Sequence, residues 1–193
     1  MIIAWLFIGL GGLIYHFGPG RERLELDQID NLLADARASV AAEEWDASVT
    51  TYEKVLAMLP DQLQEQSWQV QLELCKAKMM AAKLPEARTS LEELFRDVRA
   101  AENAPQQLVA DIESALASSQ YYTTWLMRLE GLPEDEWKPE IEAARQHYSQ
   151  RVKEARELGD ANQIKIASED LESAIRLARM DLGELQGLPL PSQ

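Results

Sequence analysis

Apolar residues recur three and four positions apart along most of this chain, which is the period of helices with one buried face. Runs of β-branched residues are absent, and Ala, Leu, Glu, Gln and Arg, all strong helix formers, dominate. The pattern therefore predicts an all-α protein. The clearest stripe holds Leu108, Ile112, Ala115, Leu116, Ser119, Tyr122, Leu126 and Leu129, and a second holds Ile164, Ala167, Leu171, Ala174, Ala178, Leu182 and Leu185.

Glycines and prolines divide this helical pattern into segments. Pro85 and Pro105 suit the first turn of a helix, where a missing N–H is harmless, and Pro60 suits the end of one. Asp160 with Gln163 resembles a capping box that comes after Gly159. The punctuation predicts helices over 22–42, 45–58, 62–82, 85–102, 105–129, 138–158 and 161–186.

The first eighteen residues contain no Asp, Glu, Lys or Arg. As a helix this segment would be roughly 26 Å long, slightly short of the ~30 Å hydrocarbon core of a bilayer. We interpret it as an uncleaved transmembrane anchor, because it lacks the basic start and small-residue cleavage site of a signal peptide. A cleaved signal peptide remains the alternative. Arg21 and Arg23 favour a cytoplasmic location for the rest of the chain, and the opposite topology stays open.

These observations give a domain plan and a location. Residues 1–18 are the anchor, 19–27 a juxtamembrane linker, 28–186 a helical repeat domain and 187–193 a proline-containing tail. The expected location is a bacterial inner membrane, crossed once, with the repeat domain in the cytoplasm. The periplasm is the alternative location.

One stretch resembles a known repeat family. Trp45, Ser48, Tyr52, Val55 and Pro60 have the spacing of the second helix of a tetratricopeptide repeat. The helix before it matches through Leu32 and Ala36, and two weaker copies lie downstream, the first about 39 residues later instead of the usual 34. The resemblance implies antiparallel helical hairpins, about seven helices including a capping helix, preceded by the transmembrane helix.

Composition narrows the chemistry. The chain has 19 basic and 33 acidic residues and a net charge of −14, which argues against nucleic acid as a partner. One cysteine and two histidines leave too few ligands for a structural zinc site, so we expect no metal and no cofactor. We expect Cys75 to be a small core residue and His147 an exposed helix residue. No nucleophile and base stand at a suggestive spacing, and we therefore expect no enzyme.

Two groups of residues are candidates for binding a partner. The first would line the concave face of the repeats, as the tetratricopeptide resemblance implies; the second is an aromatic cluster that suits either an interface or a core. We therefore expect a membrane-tethered scaffold or adaptor that recruits a protein or peptide partner, itself membrane-associated. An exported periplasmic binding or assembly factor is the alternative. The first group is Leu33, Arg37, Leu72, Lys76 and Met79, and the second is Tyr121, Tyr122, Trp125 and Trp137.

Overall fold

A computed structural model of the chain describes residues 19–186, with side chains from residue 24 to 185. Within this range the chain forms eight α-helices and no strand, so the all-α prediction is confirmed. The chain divides into two compact units, one up to Val70 and the other from Gln71. The helices are α1 (Pro19–Ala41), α2 (Trp45–Met58), α3 (Gln64–Met80), α4 (Leu84–Ala100), α5 (Gln106–Leu129), α6 (Glu134–Leu158), α7 (Ala161–Arg179) and α8 (Leu182–Gln186).

The first unit contains a hairpin in which α1 packs against α2. Ser48, Tyr52 and Val55 of the tetratricopeptide-like stretch are buried on α2, and Trp45 is half-buried. They lie three to four residues apart, so they share the face that the hairpin needs to bury. The helix ends at Met58, just before Pro60.

The second unit is a run of sequential helix contacts. Helix α4 packs on α5, α5 on α6 and α6 on α7, and the short α8 contacts α5. Two contacts link α4 directly to α6: Arg88 binds Glu140, and the ring of Phe95 meets that of His147. Each pair is separated by 52 residues along the chain, so α4 and α6 run parallel. A tetratricopeptide array would bring equivalent helices together after about 34 residues.

The expected fold of seven tetratricopeptide-like helices behind a transmembrane helix needs correction. Residues 19–186 form eight helices, and none of these is both long enough and apolar enough to cross a membrane. The segment assigned to the transmembrane anchor, 1–18, lies outside the described residues, as does the tail at 187–193. Residues 19–27, assigned to a linker, belong to α1.

Two helix boundaries differ from the sequence prediction by more than three residues. Helix α6 begins at Glu134 instead of 138 and contains Pro139. Its first turn carries three acidic residues, which the positive end of the helix dipole stabilises, and Glu134 forms a 2.7 Å ion pair with Lys138. These contacts favour a helical turn ahead of the proline.

The last predicted helix, 161–186, is two helices. The break results from a reciprocal capping box, in which Glu184 N–H donates to the Asp181 carboxylate at 2.7 Å and Asp181 N–H donates to that of Glu184 at 3.0 Å. Half of the capping box predicted for α7 is confirmed, since the Asp160 carboxylate accepts from the N–H groups of Asn162 and Gln163. The Asp160 N–H donates to the Ala155 carbonyl instead of to the Gln163 side chain. Gly159 before it has a φ of +70°, in the left-handed region that favours glycine.

Candidate functional site

The first predicted group of binding residues is divided between the two units. Leu33 is half-buried and Arg37 exposed, and both belong to α1. On α3, Leu72 is buried in the core, Met79 is half-buried, and Lys76 forms a 2.7 Å ion pair with Glu73. On each of these helices the group therefore contributes only two or three side chains.

The aromatic cluster lies at the core of the second unit. Trp125 is only 6% exposed and is clustered with Ile141, Tyr148 and Leu177. Tyr121 and Trp137 pack against this cluster while remaining half-buried. Tyr122 meets Tyr121 edge to face, with ring centroids 5.5 Å apart. Of the two interpretations left open by the sequence, interface or core, the structure places Trp125 in the core.

Arg128 ties this aromatic cluster to the end of α7. Its guanidinium lies over the Trp137 ring, 4.7 Å from the centroid, and donates hydrogen bonds to the backbone carbonyls of Leu177 and Met180. The last carbonyls of a helix have no partner within the helix and carry the negative end of its dipole. Arg128 thus satisfies those carbonyls and has a structural role.

An open groove of about 570 Å³ lies along the other side of α4, α5 and α6, and we call it the arginine groove. None of its residues is among the predicted binding residues. Two arginines, an aromatic ring, a histidine and an amide give it mixed chemistry. It is lined by Glu92, Phe95, Arg96, Arg99, Ala100, Leu116, Gln120 and His147.

A histidine of the arginine groove is hydrogen-bonded to a buried glutamate. Glu113 is 4% exposed, and its Oε1 lies 2.9 Å from Nδ1 of His147. The imidazole also meets the ring of Phe95 edge to face, at 5.3 Å between centroids. His147 was expected to be an exposed helix residue, and this is wrong. It packs between α4 and α5, where it supplies the only hydrogen-bond partner seen for the Glu113 carboxylate within residues 19–186.

The two arginines of the arginine groove form no ion pair within the described part of the chain. Arg96 and Arg99 are exposed, and within residues 19–186 neither guanidinium takes part in an ion pair or a hydrogen bond. Arg99 lies over the Phe95 ring, 5.3 Å from its centroid. The acid beside them, Glu92, instead pairs with Arg88 at 3.1 Å. The two guanidiniums are therefore available to an anionic ligand.

An unsatisfied polar atom also belongs to the wall of the arginine groove. Gln120 is 3% exposed, and its side-chain carbonyl oxygen is buried without a hydrogen-bond donor. Buried polar groups are almost always paired, because an unpaired one loses its hydrogen bonds to water without replacement. Gln120 therefore suits a ligand that brings an N–H or O–H group.

Other chemistry-bearing groups are less suited to a role in function. Burial raises the pKa of the Cys75 thiol to about 11, so the reactive thiolate is scarce at neutral pH and the prediction of a core residue is confirmed. Burial likewise raises the pKa of Tyr148, whose hydroxyl lies 3.3 Å from that of Ser118.

Comparisons with family models, with curated proteins and with solved structures give no match for this chain.

Proposed function

We propose that this chain is a non-enzymatic adaptor that binds a partner protein through the arginine groove. The observation that carries the proposal is that the exposed guanidiniums of Arg96 and Arg99, which form no ion pair within residues 19–186, line a groove together with the Phe95 ring. Arginine and aromatic side chains are enriched at protein interfaces, where they supply much of the binding energy. In a chain of net charge −14 they form a local region of opposite sign.

The groups in this groove favour binding over bond-making chemistry. His147 directs one ring nitrogen at Glu113, which resembles the base and orienting acid of a catalytic triad. None of the eight described residues that line the groove is Ser, Thr, Cys or Lys, so the lining provides no side-chain nucleophile for that base. The hydrogen bond between His147 and Glu113 instead supports a fixed surface formed by three helices.

We propose a membrane surface, in a bacterial cell the cytoplasmic side of the inner membrane, as the place of action. This part of the proposal is supported by the apolar sequence of residues 1–18. A binding module confined beside its partner meets it at a higher effective concentration than a free one does. Fractionation of cells that express the full chain should recover it with membranes. Recovery of the full-length chain in the soluble fraction would contradict this location.

The binding proposal can be tested by quantitative capture from detergent-solubilised membranes. The baits are the full-length wild type, R96A/R99A and the matched control K153A/R156A. The control also removes two exposed positive charges three residues apart, but from α6 outside the groove. We expect a protein that wild type and control enrich equally and that R96A/R99A loses. Equal enrichment of the same proteins by all three baits would refute the adaptor function of this groove.

A further inference from the structure

The arrangement of Arg96 and Arg99 identifies the chemistry of the partner. Residues three apart on a helix project from the same side, so both guanidiniums face the groove from α4. The Phe95 ring under Arg99 restricts the positions that this guanidinium can take. Two planar guanidiniums held near each other match the geometry of carboxylates, which they can bind through two parallel hydrogen bonds.

Three acids on α4, α5 and α6 pair with other residues and not with these arginines. Glu92 and Glu140 both bind Arg88, and Glu140 does so through two contacts of 2.7 Å. Glu113 lies beneath the surface and faces His147. Glu92, Glu113 and Glu140 therefore already have partners, and within residues 19–186 no ion pair joins Arg96 or Arg99 to a carboxylate, so both guanidiniums can bind a ligand.

Gln120 adds a second requirement. Its side-chain oxygen lacks a donor, and the terminal torsion of a glutamine side chain is soft and broad. Because the oxygen is buried, the amide must rotate about this torsion to meet a donor that arrives in the groove. An extended peptide offers such a donor in its backbone N–H groups, whereas a lipid phosphodiester offers acceptors only.

We propose that the arginine groove binds an acidic segment of the partner protein, and this inference rests on the proposed function. Side-chain carboxylates of the segment pair with Arg96 and Arg99, and a backbone N–H donates to Gln120. An anionic bilayer fits the observations less well, because the phosphodiester groups of its lipids offer no donor to the Gln120 oxygen.

The test is direct binding of a labelled twelve-residue peptide rich in Glu and Asp to the full-length protein. A peptide of the same length with Gln and Asn in place of the acids is the ligand control. We expect R96A/R99A to weaken binding of the acidic peptide by about tenfold or more, and K153A/R156A to change it by less than about twofold. Because the guanidiniums are exposed, raising the salt from about 50 to about 300 mM should also weaken binding.

Gln120→Met provides a readout that a purely structural role would not give. Methionine keeps the shape of the side chain and removes the unsatisfied oxygen, so the protein should melt at the same or a higher temperature. Binding of the acidic peptide should nevertheless fall by about threefold to tenfold, because the backbone N–H loses its acceptor. A lower melting temperature with unchanged binding would show that Gln120 only supports the fold and would overturn its assigned role.

The outcomes separate this inference from the proposed function. If R96A/R99A abolishes partner capture but the acidic peptide neither binds nor competes, the adaptor function stands and the inference fails. Equal binding of the neutral peptide, or binding to phosphatidylglycerol vesicles that inorganic phosphate displaces, would also overturn it. Unchanged partner capture by R96A/R99A refutes the function itself, whatever the peptide does.

Discussion

Arg128 and the pair Arg96 and Arg99 belong to the same unit, but they differ in whether the protein supplies acceptors for their guanidinium groups. Arg128 has a ring beneath it and two backbone carbonyls in front of it, so each of its interactions is within the protein. Arg99 also has a ring beneath it, but no acceptor lies in front of it within residues 19–186. The same residue type therefore stabilises the fold where its acceptors are internal and is free to bind where they are not.

Among the variants that test the structural role of Arg128 and the aromatic cluster, Trp125→Ala should lower the free energy of unfolding the most. Truncating a buried tryptophan leaves a cavity, and we expect a loss of about 3–5 kcal/mol in the free energy of unfolding. Urea denaturation monitored by circular dichroism measures the loss. Trp137→Ala, at a half-buried position, should cost less. If Trp125→Ala melts like wild type while partner capture is lost, the indole belongs to an interface.

His147→Ala comes next, because it leaves the buried Glu113 carboxylate without its hydrogen-bond partner. We expect a loss of about 2–3 kcal/mol in the free energy of unfolding. The double variant E113L/H147L removes both partners and should recover most of it, since an apolar pair has no unmet hydrogen bonds. The same urea titrations apply. A double variant as unstable as the single one would mean that His147 acts through its packing against Phe95.

Arg128→Ala should cost about 2 kcal/mol, because two carbonyls at the end of α7 lose a charged donor. Arg176→Ala is the matched control. That arginine is exposed, and its contact is a 3.4 Å ion pair with exposed Glu172, so its loss should cost about 0.5 kcal/mol or less. Thermal melting of the two variants measures the difference. Equal melting temperatures would remove the structural role given to Arg128.

R96A/R99A should have the smallest effect on stability, about 0.5 kcal/mol or less, since it removes no internal ion pair or hydrogen bond. The measurement is the urea midpoint against that of K153A/R156A. A loss of unfolding free energy as large as that of Arg128→Ala would mean that Arg96 and Arg99 stabilise the fold, and it would argue against the groove as a binding surface.

Periodicity predicted the all-α class of the described chain, because burial of one helix face is a local property. The Asp160 cap and the end of α2 before Pro60 were predictable from short-range rules in the same way. The break in the last helix also has a local signal, the capping pair Asp181 and Glu184 three residues apart. The prediction missed it because the apolar stripe continues through the break. Pro139 led to a predicted start of α6 that is four residues too late. Three acidic residues ahead of the proline stabilise a helical turn that the proline alone would disfavour.

The candidate site was harder to predict because it depends on which helices meet. Glu113 stands three residues before and Gln120 four residues after Leu116 of the apolar stripe on α5, and this placement of two polar residues was the available signal. It does not reveal that His147, 34 residues away, supplies the partner of Glu113. The freedom of Arg96 and Arg99 is equally invisible, since nothing local shows that Glu92 and Glu140 both turn to Arg88.

The two links between α4 and α6 have a consequence for how quickly a ligand could be accommodated. Arg88 to Glu140 and Phe95 to His147 repeat after seven residues on both helices, so a slide by one turn would break both at once. The helices are thereby locked in one alignment before any encounter. Association should then be a single-step docking onto a rigid receptor, with the loss of chain entropy borne by the incoming segment alone.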